Sequence, residues 1–149
     1  MKIALVCTHG GHLTETLQLL DALNDHQIFF VTHHSARDTD LSNIAPTYYT
    51  VNIEARALRL LYAFFEAIPI LLREKPGVIL SLGAEIAIPF FFWGKLFGMK
   101  LIYIESWCRV NDLSRTGKIV YPIVDEFWVQ WQELLEVCGP KARFHGALI

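Results

Sequence analysis

Nowhere does this sequence supply the roughly 20 consecutive apolar residues that a membrane-spanning helix needs. Arg56, Arg59, Glu66, Arg73, Lys95 and Lys100 interrupt its two oiliest regions. A contact with a bilayer is therefore expected to run along the surface rather than through it. The first residues carry neither the basic segment nor the long apolar stretch of a secretion signal, so a location on the cytoplasmic face is expected. Cysteine is scarce: Cys7, Cys108 and Cys138 have no paired spacing, which excludes a disulfide framework and points to a reducing compartment. One-sided charge is missing too, since 13 basic residues face 15 acidic ones for a net charge of −2, so nucleic acid is not an expected partner. Gly10-Gly11 neither completes G-x-G-x-x-G nor precedes Gly-Lys-Ser/Thr, which excludes the dinucleotide fingerprint and the P-loop. His9 and His12 are three apart across two glycines, and together with Cys7, His33 and His34 they give no recognised zinc spacing. No metal and no cofactor is expected.

What the chain does have is apolar residues, 53% of its 149, against 19% charged. That length fits one domain with a sizeable core. The oiliness leaves apolar surface over for a membrane or a partner. Strand-like and helix-like stretches alternate without repeat or linker, which predicts an α/β fold with a mostly parallel sheet covered on both faces. Strands are expected at 2–7, 27–32, 48–52, 78–81, 101–105 and 126–129, with a last short one near 143–146. Helices are expected at 11–24, 56–74, 86–97 and 133–137, with a further one capped by Ser114. The polar residues of 56–74 share one narrow stripe, leaving roughly three quarters of that helix apolar. The apolar stretches from Leu58 to Leu72 and from Ile86 to Phe97 are thus either core or an interfacial surface. Pro69 is expected to kink the first and Pro89 to break the second. A polar loop is expected at 33–38.

Two turns at strand C-termini carry the chemistry. Thr8-His9-Gly10-Gly11-His12 follows the first strand and opens a helix, an arrangement that presents backbone N–H groups to an anion. Leu82-Gly83-Ala84-Glu85 repeats the strand-glycine-helix pattern. Glu105 ends the fifth strand, where open α/β sheets place function. It can act as general base, pair with Arg109, or cap a helix. Arg109, Arg115 and Lys118 are candidate anion contacts.

Glu105-Ser106-Trp107-Cys108-Arg109-Val110, Leu113-Ser114-Arg115-Thr116-Gly117-Lys118, Phe127-Trp128-Val129-Gln130-Trp131 and Gly10-Gly11-His12 together resemble the acceptor-side subunits of two-subunit GT-B glycosyltransferases. One branch of that family is the eukaryotic asparagine-linked-glycosylation subunit, which helps add the second N-acetylglucosamine to a dolichol-linked sugar. The other is the PssD type of bacterial capsule and exopolysaccharide synthesis. The eukaryotic members carry an N-terminal transmembrane helix, so the resemblance is nearer to the bacterial type. It implies that 1–149 forms one Rossmann-like lobe, equivalent to the N-terminal half of a GT-B enzyme. A separate donor-binding chain would supply the other lobe, in a heterodimer. The acceptor would be a glycan linked through pyrophosphate to an undecaprenyl- or dolichol-type lipid, the donor a nucleotide sugar such as a UDP-sugar, and the contact with the membrane peripheral. Thr8, His9, Gly10, Gly11, Gly83, Arg109, Ser114 and Lys118 are expected to hold acceptor or phosphate. His12 or Glu105 would take the proton from the attacking hydroxyl; the block around Glu105 is the more specific match and favours it. A chain that only anchors and stabilises a catalytic partner is the alternative. Leu82-Gly83-Ala84-Glu85 departs from the Gly-x-Gly or Gly-Thr pattern of eukaryotic members, so no ligand role is carried over to Glu85.

Overall fold

The computed structural model describes residues 1–35 and 40–148. Residues 36–38 of the expected polar loop lie outside the described residues. Strand β1 (Lys2–Val6) leads into helix α1 (Gly11–Leu17), then β2 (Gln27–His33), β3 (Thr47–Thr50), α2 (Ala57–Glu74), β4 (Val78–Ser81) and α3 (Ala87–Leu96). The chain continues through β5 (Lys100–Ile104), α4 (Arg115–Val120), β6 (Glu126–Val129), α5 (Leu135–Cys138) and β7 (Ala142–Phe144). The strands form a seven-stranded sheet in the order β3-β2-β1-β4-β5-β6-β7. Every neighbouring pair is parallel.

Alternation along the strands divides the core between the two faces of the sheet. On one face Ala4, Val6, Phe29, Ile79, Tyr103 and Phe127 meet Ala63, Ala67 and Leu71 of α2 and Phe90 and Phe91 of α3. On the other, Ile3, Leu5, Cys7, Phe30 and Leu80 meet Leu13 of α1 and Leu41. Strand order reverses between β1 and β4, and such a switch point opens a crevice beyond the strands' C-terminal ends.

Two expectations about helices are corrected. The first helix ends at Leu17 rather than near Asn24. Gln18, Leu19 and Leu20 bond back three residues instead of four, and a 3₁₀ turn follows at Asp21–Leu23. The leucine spacing persists through this tightened stretch, which is why it reads as one helix. Pro89 does not break α3 but falls in its first turn, where a missing N–H costs nothing. Helix α2 runs unbroken through Pro69.

The apolar excess of α2 and α3 is divided between core and surface. Only the strip Ala63, Ala67 and Leu71 of α2 is buried, while Leu58 is 82% exposed and Phe65 64% exposed, with Leu61, Tyr62 and Leu72 also in the open. On α3, Phe90 and Phe91 enter the core, Phe92 faces out, and the Trp93 indole N–H donates to the Phe64 carbonyl at 2.9 Å. Among the described residues no helix is long and apolar enough to cross a membrane.

Gly94 sets the spacing of α3 from the sheet. A Cβ there would lie 2.5 Å from Ile79 Cδ1 and 2.9 Å from Leu101 Cδ2. Gly94→Ala gains about 1 kcal/mol of helix propensity, but overpacking of a buried contact costs about 1–3 kcal/mol. The substitution is therefore expected to destabilise, by about 1 kcal/mol, in urea unfolding; a gain in stability would show that the contact relaxes freely.

Candidate functional site

All seven strands point one way, so the turns after β1, β4, β5 and β6 gather at one edge of the sheet. At the switch point the two glycine turns touch. Gly83 has φ +122°, and a Cβ there would come within 2.7 Å of the His12 ring, so only glycine lets the ring lie flat against this turn. His12 Nδ1 is buried with no hydrogen-bond partner among the described residues. Gly10, at φ +93°, stands at the N-cap position of α1. Thr8 and His9 line a cleft of about 290 Å³ with Asn52, Ile53, Ala84 and Glu85. With only seven residues, α1 has a small dipole to offer an anion.

Glu105 is fully buried, at 0% exposure. Its Oε1 accepts from the Ser106 N–H at 3.1 Å, and its Oε2 accepts from both the N–H and the hydroxyl of Ser114 at 3.0 Å each. Ser114 caps α4, its Oγ accepting from the Gly117 N–H at 2.9 Å, and the Tyr103 hydroxyl lies 3.0 Å from the same Oγ. Gly117 is glycine because a Cβ would fall 2.2 Å from Glu105 Oε2. Burial pushes the Glu105 carboxyl above its ordinary range, against the pull of the Ser114 and Ser106 donors and of Arg109. An exposed general base at Glu105 is thus not what this geometry provides. The carboxylate is held inside by three donors and reaches no solvent, and it anchors a helix cap. Of the other expected contacts in this block, Ser114 is brought onto Glu105, whereas Arg109 is exposed on the loop and Lys118 is exposed on α4, paired to Asp112 at 2.9 Å.

The residue that sequence reasoning missed is Glu15. It is 5% exposed, and its carboxylate joins α1 to two turns. Oε1 accepts from the Ser106 hydroxyl at 2.7 Å; Oε2 accepts from the Trp107 N–H at 3.0 Å and from Gln130 Nε2 at 2.7 Å. Gln130 Nε2 also donates to the Glu105 carbonyl at 3.1 Å, and its Oε1 accepts from the Leu148 N–H at 2.9 Å. The Trp131 indole N–H closes the network on the Trp107 carbonyl at 2.6 Å. The signal available was the position of Glu15, four residues after Gly11 on a helix whose leucines face the core. The Cys7 thiol, one of the potential metal ligands, is buried beneath this edge, and that burial pushes it up to about 11.

This arrangement, a parallel sheet of switched strand order with two glycine turns meeting at the switch point, defines one Rossmann-like lobe of the GT-B type. The chain superposes on MurG of Acinetobacter baumannii with a TM-score of 0.77 and 14% identity, over 97% of its own length and 45% of that protein. On the UDP-N-acetylglucosamine 2-epimerase of Rickettsia bellii the TM-score is 0.76 with 14% identity, over 99% of this chain and 45% of that one. A family model described as oligosaccharide biosynthesis protein Alg14 like matches residues 52–148. The chain belongs to that Alg14-like family. It is 40% identical to the Kluyveromyces lactis protein named UDP-N-acetylglucosamine transferase subunit ALG14, over 52% of this chain and 35% of that protein. It is 28% identical to the human protein of that name, over all of this chain and 83% of the human one. The chain thus spans about a third of the first relative, most of the second, and under half of the two solved structures.

The site yields a test of its buried carboxylate. Glu105→Ala strands three donors and is expected to cost about 3 kcal/mol or more. Glu105→Gln keeps the shape and removes the titration. A raised folded-state pKa means that the folded protein holds this proton more tightly than the unfolded chain. The contribution of Glu105 therefore falls as pH rises above the unfolded carboxyl value of about 4.3. Urea unfolding from pH 4 to 7 is expected to show the advantage of wild type over Glu105→Gln shrinking as pH rises; a gap independent of pH would contradict the raised value.

Proposed function

We propose that this chain is the acceptor-side subunit of a two-subunit glycosyltransferase of the PssD type, acting in bacterial capsule or exopolysaccharide synthesis. In this reading residues 1–149 form the acceptor-binding lobe. A separate donor-binding chain brings a nucleotide sugar, such as a UDP-sugar, to the cleft. The acceptor is a glycan on a lipid pyrophosphate, and the lobe lies peripherally on the cytoplasmic face of the membrane. The observation that carries the reading is that a relative of which the chain covers 83% is named a transferase subunit. The open apolar faces of α2 and α3 support a surface contact with lipid, since their aromatic and aliphatic side chains have no cover within the described chain.

Transfer forms a bond from an acceptor hydroxyl oxygen to the donor's anomeric carbon and breaks the bond from that carbon to the nucleotide's phosphate. The hydroxyl proton must leave as the oxygen attacks. Here His12, at an open turn over Gly83, is the proposed base. With Nδ1 buried, Nε2 is the nitrogen that meets the substrate. Glu105 acts in this scheme as a positioning residue, holding the 105–114 loop and with it Arg109, Ser114 and Lys118. Thr8, His9, Gly10, Gly11 and Gly83 shape the cleft for the acceptor's sugar.

The experiment reconstitutes the chain with its donor-binding partner on vesicles carrying the lipid-linked acceptor. His12→Ala is expected to lower kcat by about 10²–10⁴-fold, the range of general-base catalysis, with the complex still eluting and floating with vesicles as one species. Unchanged turnover would remove the chemical role and leave the chain as an anchor for a catalytic partner; failure of the wild-type complex to float would remove the membrane contact.

A further inference from the structure

A second recess adjoins the cleft beside the glycine turns, sharing Ile53 and Glu85 with it. It encloses about 180 Å³ where the first turns of α2, α3 and α4 converge. Its apolar lining is Ile53, Leu60, Ile88 and the half-exposed Ile119. Its two basic residues, Arg56 before α2 and Arg115 opening α4, are exposed, and neither guanidinium has a hydrogen-bond or ion-pair partner among the described residues. The acidic residue in the wall, Glu85, is engaged, its carboxylate accepting from the Ala55 N–H at 2.8 Å.

Two unpaired guanidiniums beside an apolar lining suit one ligand chemistry, an anion joined directly to a hydrocarbon. The planar fork of arginine matches phosphate oxygens in pairs. A volume of 180 Å³ is below the roughly 300 Å³ of a pocket that encloses a whole drug-sized ligand, so the recess takes a segment of something larger. The recess adjoins the cleft of Thr8 and His9 through Ile53 and Glu85. Leu61 stands one helical turn after Ala57, which lines the recess, on the bare face of α2 with Leu58 and Phe65. A recess next to both suits the diphosphate of the lipid-linked acceptor proposed above.

We propose that Arg56 and Arg115 clamp the diphosphate of such an acceptor while the apolar lining takes the first isoprene units. This places the anion contact on two side chains of different helices rather than on the backbone of the short α1, and it rests on the acceptor-side reading above. The clamp fixes how far the glycan reaches into the cleft, and so which hydroxyl His12 meets.

The test is titration calorimetry of the full chain with farnesyl diphosphate, farnesol and inorganic pyrophosphate. Farnesyl diphosphate is expected to bind at least tenfold tighter than either half of it. Arg56→Gln with Arg115→Gln is expected to weaken farnesyl diphosphate by tenfold or more without changing the circular dichroism. Ile119→Ser, at a position already 48% exposed, is expected to weaken farnesyl diphosphate and leave pyrophosphate unaffected. Pyrophosphate binding as tight as farnesyl diphosphate would overturn the proposal in favour of a free-anion site. Equal binding by wild type and the double arginine variant would place the clamp elsewhere while leaving the acceptor-side reading standing. No binding of farnesyl diphosphate by wild type would overturn the clamp, with the transfer assay still deciding the wider reading.

Discussion

The carboxylate of Glu15 is the interaction on which the candidate site depends. Its two oxygens take hydrogen bonds from Ser106, Trp107 and Gln130, and so tie α1 to the turns after β5 and β6. Parallel strands bring these turns to one edge but do not fix their heights or angles. A buried acceptor with three donors does, because each donor left without it would lose a bond to a charged group in a place that water does not reach. Glu105 repeats the device one layer away, holding Ser106 and the cap of α4. The two networks meet at Ser106 and at Gln130, which also donates to the Glu105 carbonyl. Three of the four motif blocks that carried the family resemblance, those around Glu105, Ser114 and Gln130, therefore contribute to one connected hydrogen-bond framework.

That framework divides the lobe into a rigid edge and an uncovered flank. The edge holds the carboxyl groups of Glu15 and Glu105 inside. The flank of α2 and α3 does the opposite, leaving Leu58, Phe65 and Phe92 in solvent although the sheet beneath is fully packed. Small residues make this possible: Ala63 and Ala67 bring α2 close to the sheet, and the bulky side chains turn outward. The recess of Arg56 and Arg115 lies where edge and flank meet.

Much of this was legible in the sequence. The unbroken apolar run Ile3-Ala4-Leu5-Val6-Cys7 announces a strand buried on both faces, and short runs between turn residues marked the other six strands to within a few residues. The Gly10-Gly11 and Gly83 turns follow from the same pattern, because strands and helices that alternate put them at one edge. The end of α1 was hidden because tightened turns keep nearly the spacing of a helix. Pro89 misled because a proline in a first turn and one in mid-helix look alike until the start is known. The burial of Glu105 depends on Ser114, nine residues on, and on the close approach that Gly117 permits. Glu15 was least visible: its partners stand 91, 92 and 115 residues away, and no local spacing announces a contact made across the sheet.

The central claim is that Glu15 holds the site's turns in place. It is tested most directly by hydrogen exchange on Glu15→Gln, which keeps the volume but turns one acceptor oxygen into a donor. The account predicts that the Trp107, Ser114 and Leu148 amides exchange at least tenfold faster than in wild type while the β1 and β5 amides are unchanged. Wild-type protection at all three loop amides would contradict it.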